Sequence, residues 1–322
     1  MLRRLTQPLR KAKDRTYARL HAATAPPPVF PSRAPADHGV GAELDDEAWL
    51  RAAFNLVLER EPDDAGWEHY ISSLASGSLT RGVILDTMRF SMENRYRIRP
   101  RDMLVSLHLS RCDFIRSFPR ARRILDLGGT AQSDPAGAMV SMGYPYVFDE
   151  LVIIDLPHDM RHDIYTHSAP IEEHLTALGM VRYRYHSMAD LSAYDDGSFD
   201  LVYSGQTFEH VTESDGDKVL AEVFRVLRPG GWFYVDTPNG PVCRIQQAEF
   251  INPDHEVEYS HDEMLAKLDG AGFEVPIQLG LNWCGDAVSS GSFSIESAAA
   301  FVGMYGTPAE CYLLAYGARK PD

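Results

Sequence analysis

Four groups of residues have types and spacings suited to chemistry. The first is Asp126-Leu127-Gly128-Gly129-Thr130, which directly follows an apolar β-rich run. Glycines there let the backbone approach a ligand and turn into a helix, and the acid offers polar contacts. The second is a pair of acids, Asp155 and Asp190, each closing or following a β-rich run. A carboxylate at a strand end can accept hydrogen bonds from neighbouring hydroxyls, although many such acids only cap a helix. The third comprises Glu209-His210 and, further on, His255. Histidine and glutamate are the usual general bases for a hydroxyl acceptor. His210 serves as a base, orients a substrate, or simply packs to fix its loop; Glu209 is suited to binding a sugar hydroxyl. The fourth is His158, Asp159, His162, Asp163 and His167. Histidines four apart on a helix can bind zinc, but no helix pattern or completing cysteine accompanies them. A solvated loop is the expectation, and no metal ligands are assigned.

The elements that must carry these groups follow from periodicity. Short β-rich runs at Arg123–Leu127, Leu151–Asp155, Val181–His186, Phe199–Tyr203 and Trp232–Asp236 alternate with helical stretches. That rhythm predicts an α/β fold, a parallel sheet with helices on both faces. Residues 215–228 form an amphipathic helix, with Pro229-Gly230-Gly231 as its stop. A helix at Ser260–Leu268 and strands near Phe273–Gln278 and Glu310–Tyr316 complete the domain. Ligands of open α/β sheets bind beyond the C-terminal strand ends, where the strand order reverses. The loops named above occupy those ends.

Several of these segments together resemble class I S-adenosylmethionine-dependent methyltransferases over about residues 102–319. The best single signature is Asp195-Asp196-Gly197-Ser198-Phe199-Asp200-Leu201-Val202, with Leu227-Arg228-Pro229-Gly230-Gly231 as its companion. The resemblance implies a Rossmann-like sheet and S-adenosyl-L-methionine as cofactor. It assigns Asp126, Gly128, Gly129 and Thr130 to the methionine part and Asp155 to the ribose hydroxyls. Met188 becomes an apolar wall beside the adenine and Asp190 the partner of its amino group. Leu156 and Ser204, next to these strand ends, join the cofactor set. The family's usual acid-x-Gly-x-Gly is altered, because Thr130 stands at the second glycine. The acidic set of the family's metal-dependent branch finds no match. A nicotinamide dehydrogenase, the neighbouring alternative, would want Gly-x-Gly-x-x-Gly after the first strand, which Gly128-Gly129-Thr130-Ala131-Gln132-Ser133 does not supply. His210 is the first catalytic candidate, His255 the second and Glu209 the third, with Thr237, Asn239 and Trp283 placed to line an acceptor pocket.

A smaller unit precedes this domain. Trp49, Leu50, Ala53, Phe54, Val57 and Leu58 recur at helical steps, and further helices follow with Trp67, Tyr70 and Leu74 and then Ile84, Leu85 and Met88. Arg60, Pro62, Asp63, Gly66, Trp67, Tyr70, Leu74 and Gly77 resemble a small bacterial helical domain of unknown function. The resemblance implies no chemistry, and core packing accounts for Trp67 and Tyr70. Such modules are often joined to enzymes that build or decorate bacterial surface glycans. That association favours an oxygen of a sugar or glycan intermediate of a surface polysaccharide pathway as acceptor. A small lipid or quinone-like metabolite is the enzymatic alternative, and a non-catalytic cofactor-binding scaffold the alternative of another class.

The divisions expected are therefore 1–42, a basic tail and linker; 43–100, the helical unit; and 101–322, the methyltransferase domain. Five prolines in residues 25–37 make an extended linker. The 322 residues carry a net charge of −15, but seven basic residues against Asp14 give residues 1–20 a charge of +6. The remainder is strongly acidic, which disfavours nucleic acid as partner. The tail interleaves Leu2, Leu5, Leu9, Tyr17 and Leu20 with its cations. Such a segment can lie weakly on an anionic membrane surface, though Pro8 and the thin apolar face favour a solvated tail. Cys112, Cys243, Cys284 and Cys311 form no CxxC pair and read as reduced thiols. The expectation is a cytoplasmic enzyme, with peripheral contact at the inner membrane through the tail as an open alternative.

Overall fold

The computed structural model describes residues 44–58, 60–89, 103–131, 134–157 and 172–322. The basic tail, the linker and the His158–His167 cluster lie outside the described residues. In the helical unit, α1 (Asp46–Leu58), α2 (Asp64–Ala75) and α3 (Arg81–Arg89) bury one core. It contains Trp49, Leu50, Phe54, Ile84 and Met88, with Trp67 and Tyr70 packed against it. The side chain of Asp63 caps α2 by accepting from the Gly66 N–H at 2.8 Å. The acids after Pro62 thus start a helix, as their types predict.

Helix α4 (Met103–Arg116) leads into β1 (Arg123–Leu127). The remaining strands are β2 (Glu150–Asp155), β3 (Glu173–Leu175), β4 (Met180–Tyr185), β5 (Phe199–Gly205), β6 (Leu227–Pro238), β7 (Glu274–Trp283), β8 (Met304–Tyr305) and β9 (Cys311–Arg319). They form one nine-stranded sheet in the order β3-β4-β2-β1-β5-β6-β9-β7-β8. β1, β2, β4, β5 and β6 run parallel, while β9 enters antiparallel between β6 and β7. The central strands β1, β2 and β5 are buried along most of their length because both faces are covered, whereas β4 at the flank alternates buried and partly exposed residues. Ile124, Leu151 and Leu201 face one core with Phe114 and Ile115 of α4. Leu125, Val152 and Val202 face the other with Val219, Leu220 and Val223 of α6 (Glu213–Val226); a short α5 (Ala138–Ser141) precedes it, and α7 (Gly240–Gln246) and α8 (His261–Gly270) come before β7.

The register brings the functional loops together. Leu127 is level with Ile154 of β2 and with Ser204 of β5. The order turns from β2 to β5 on either side of β1, so the crevice outside these three strand ends is the switch point. Two boundaries differ from expectation. α6 ends at Val226, before Pro229-Gly230-Gly231, because the backbone is already extended at Leu227. The Pro-Gly-Gly segment instead belongs to β6, where the register with β5 shifts between Phe199 and Leu201. It is stitched to the far end of the domain: Gly230 N–H donates to the Lys320 carbonyl and Lys320 N–H to that of Gly231.

One buried polar network joins α4, β5 and β6. Arg111 Nε donates to Asp236 Oδ1 at 2.7 Å and the Tyr203 hydroxyl to Asp236 Oδ2 at 2.6 Å. Gln206 Nε2 also donates to Asp236 Oδ1, at 2.9 Å, and Arg111 Nη2 to the Tyr203 hydroxyl. Removing the guanidinium strands a carboxylate with no exposure to water. Arg111→Met is therefore expected to lower unfolding free energy by about 3–5 kcal/mol, measured by urea denaturation. A loss below about 1 kcal/mol would show that the pair is dispensable.

Candidate functional site

The first part of the site is built where β1 ends. Asp126 is the penultimate residue of β1 and is almost completely buried. Its carboxylate lies where a Cβ on Gly129 would be, with Oδ2 only 2.1 Å from that position. Glycine at 129 is thus required by the folded-back acid as much as by any ligand. Gly128 holds φ +75°, and a side chain there would collide with Thr207 on the loop after β5. The two loops are therefore in contact. Burial pushes the Asp126 carboxyl up to about 7; nearby Asp155 adds to this, while Arg111 and the backbone N–H of Met139 oppose it. Asp126 Oδ2, Thr130 Oγ1 and Ser204 Oγ are all buried without a hydrogen-bond partner among the described residues. Buried polar atoms are rarely left so, and these three sit at the ends of β1 and β5. They suit a polar ligand and fit the amino-acid end assigned to them.

Asp155 ends β2 half-buried, with Oδ1 accepting the Leu156 N–H at 2.7 Å. Leu156 itself is exposed. The residues after β4 divide. Met188 packs inward with Leu127 and Ile154. Asp190 points to solvent, where its Oδ1 accepts the Ser192 N–H at 3.1 Å. The hydrogen bonds from Ser192 hold its carboxyl below the usual range.

The second part follows β5. Phe208–His210 forms a short 3-10 turn that buries Glu209. The backbone N–H groups of Glu256 and Val257 both donate to the Glu209 carbonyl, which brings the segment carrying His255 against this turn. A carboxylate oxygen of Glu209 and one ring nitrogen from each of His210 and His255 lie within 4.8 Å of one another. The three catalytic candidates thus form one cluster. His210 Nδ1 lies 3.0 Å from the Asp254 carbonyl, which can only accept, so the ring carries its proton there. His255 Nδ1 lies 2.7 Å from Glu258 Oε1, and Glu258 is ion-paired with Arg244 at 2.9 Å. Both histidines therefore direct their lone pair to Nε2. The Thr237 hydroxyl donates to Glu209 Oε2 at 3.0 Å. Burial pushes the Glu209 carboxyl up to about 8.

Of Thr237, Asn239 and Trp283, Thr237 alone hydrogen-bonds this cluster among the described residues. Asn239 Nδ2 donates to the carbonyls of Ala309 and Cys311 and pins the start of β9. Trp283 packs with Phe301, Tyr305 and Cys311, its Nε1 donating to Glu310. Sequence reasoning missed Arg111, Tyr203, Gln206, Asp236 and Glu258. Glu258, three residues after His255, was the one with a local signal. All four cysteines are buried and free.

The sheet order and the clustered strand ends define a class I methyltransferase fold. Residues 137–235 match the family model for a methyltransferase domain, and residues 34–98 match that for a domain of unknown function, DUF4214. The first match includes Asp155, Asp190, Ser204, Glu209 and His210 but begins after the Asp126–Thr130 loop. A protein from Mycolicibacterium smegmatis named as a probable S-adenosylmethionine-dependent methyltransferase is 39% identical over 98 residues, covering 30% of this chain and 37% of that protein. A ubiquinone biosynthesis O-methyltransferase from Xanthomonas axonopodis pv. citri is 28% identical over 142 residues, covering 44% and 54%. The chain spans between about a third and about half of these relatives. A solved SAM-dependent methyltransferase from Archaeoglobus fulgidus covers 70% of this chain and 97% of its own at 16% identity, with a TM-score of 0.46. The chain carries a class I methyltransferase domain beside a DUF4214 domain, and the cofactor of such a domain is S-adenosyl-L-methionine.

The buried acid gives a pH signature. The folded state keeps the Asp126 proton up to about pH 7, whereas an unfolded chain loses it near pH 4. Stability thus falls as pH rises through that window, by up to about 1.4 kcal/mol per unit. Asp126→Asn is expected to flatten this fall in urea unfolding at pH 4.5 and 7.5 without cofactor. Identical slopes for variant and wild type would show that Asp126 is ionised in the fold.

Proposed function

We propose that the protein transfers a methyl group from S-adenosyl-L-methionine to a hydroxyl oxygen of a small-molecule or glycan acceptor. The observation that carries this is the cluster of Glu209, His210 and His255, whose Glu209 lies two residues beyond the Thr207 that packs on the Gly128 loop. When bound, the cofactor supplies an electrophilic methyl on a sulfonium.

In this reading Asp126, Thr130 and Ser204 receive the polar amino-acid end, and Asp155 accepts from the ribose hydroxyls. The contact of Thr207 with the Gly128 loop keeps the two ends of the site adjacent. His255 Nε2 takes the acceptor's proton. The Glu258 carboxylate at Nδ1 holds the ring and stabilises the imidazolium that forms, the role a carboxylate plays behind a histidine base. Thr237 fixes Glu209, whose remaining oxygen binds a second acceptor hydroxyl. A sugar or glycan hydroxyl is the acceptor this reading prefers, supported by the helical unit and its usual company. A quinone-like phenol is the second reading, supported by the name of the Xanthomonas relative.

Calorimetry with S-adenosylhomocysteine is expected to give one site per chain, weakened at least about 10-fold in Asp155→Ala; no binding to the wild type would sink the assignment. His255→Asn is expected to lower kcat about 100-fold while leaving that affinity unchanged. Nucleotide sugars and reduced glycans, set against a polyprenyl catechol, separate the two acceptor classes. Cofactor binding with transfer to neither would favour a scaffold.

A further inference from the structure

We propose that Glu209, His210 and His255 form a binding site for a divalent transition-metal ion of the zinc class. The three donor atoms come from two segments held together by backbone hydrogen bonds and lie within 4.8 Å of one another. Ligands around a tetrahedral zinc at about 2.0–2.1 Å sit roughly 3.3 Å apart. Closing the cluster onto an ion needs side-chain movements on the order of 1 Å.

The surrounding hydrogen bonds are those a metal site requires. A ligating histidine characteristically donates its other ring N–H to a carboxylate or a carbonyl. His255 does so to Glu258 and His210 to the Asp254 carbonyl. A ligating carboxylate is itself hydrogen-bonded, as Glu209 is by Thr237. Glu258 is in turn fixed by Arg244 and by the Ile251 N–H. Every donor is thus oriented from behind. Two imidazoles and one carboxylate favour zinc, cobalt, iron or nickel over magnesium or calcium, which prefer all-oxygen sites. Three protein ligands leave a position open for a further oxygen. Glu209 and His255 are buried while His210 is exposed, so that position is reached from the His210 side. The placement of an acceptor oxygen there rests on the methyl-transfer reading; the site itself does not. An ion on Nε2 of His255 makes that ring a ligand in place of the base role given above; the metal-free protein keeps that role.

The test uses the full chain without a histidine tag, stripped with a chelator. Calorimetry with Zn2+ and visible absorption with Co2+ are expected to show one tight site per chain, with the intense d–d bands of a four- or five-coordinate ion. Glu209→Gln and His255→Asn are expected to weaken binding more than 100-fold. Thr237→Val, which keeps all three donors, should weaken it about 10-fold and decides the matter if the ligand variants do not fold. The triple variant His158→Asn, His162→Asn, His167→Asn should bind as wild type. Absence of saturable binding, binding undiminished in the cluster variants, or loss in the triple variant would overturn the proposal. Calorimetry with S-adenosylhomocysteine on the same samples separates the two ideas. Cofactor binding without metal binding removes only the metal site, and metal binding without cofactor binding removes only the methyl-transfer reading.

Discussion

A carboxylate taken wholly out of water must be answered by donors inside the protein. Asp236 is answered by Arg111, Tyr203 and Gln206, which come from a helix, a strand and the loop that carries the site. Gln206 holds a left-handed backbone conformation, φ 55°, and its N–H donates to the Asp236 carbonyl. That non-glycine residue accepts the strain because side chain and backbone are both tied to one residue of β6. The turn of Thr207–His210 then leaves the sheet in a fixed direction. Thr207 meets the glycine loop of β1, Glu209 meets Thr237, and the segment of His255 docks on the Glu209 carbonyl. Each contact presupposes the one before it.

The strand ends accumulate buried acids: Asp126, Glu209, Asp236 and Glu258. Among the described residues, only Asp236 and Glu258 of these four have an arginine within ion-pair distance. Asp126 and Glu209 are pushed toward their protonated forms instead. Sites that must receive a cation or a donor group tolerate this imbalance, because the ligand completes what the fold leaves open. The cofactor, with its sulfonium and ammonium, and the ion proposed beside Glu209 are alike in charge. The two halves of the crevice therefore share one electrostatic character.

Much of this was legible in the sequence because it depends on local pattern. The strands β1, β2 and β5 are short, largely apolar runs, β4 alternates apolar residues with arginines, and α6 shows its buried face at helical spacing. The acids and glycines stand at strand ends, where chain direction alone places them. What the sequence hid depends on side chains meeting across the sheet. Arg111 and Asp236 are separated by 125 positions, so no window contains both. Asn239 and Trp283 look like pocket residues by position but serve as a clamp and as core, which only their partners reveal. The helix stop at Pro229 was misplaced because Leu227 is recruited into β6 by pairing with Phe199, a tertiary preference that overrides the local turn signal. β3, β8 and the short helices α5 (Ala138–Ser141), α7 (Gly240–Gln246), α9 (Gly285–Ser290) and α10 (Ile295–Ala300) carry too few residues to establish a period.

The antiparallel entry of β9 between β6 and β7 bears on how the domain is assembled. β7 and β8 are earlier in the chain, yet they attach to the sheet only through β9. Until residues 311–319 arrive, β6 is an open edge with its backbone groups unpaired, and the β7–β8 ribbon has no sheet to join. The step is non-local and so among the slower ones. An intermediate halted there would present an apolar edge able to pair with another copy. The vulnerable moment in the life of this protein falls during folding, at the far side of the sheet from its glycine loop.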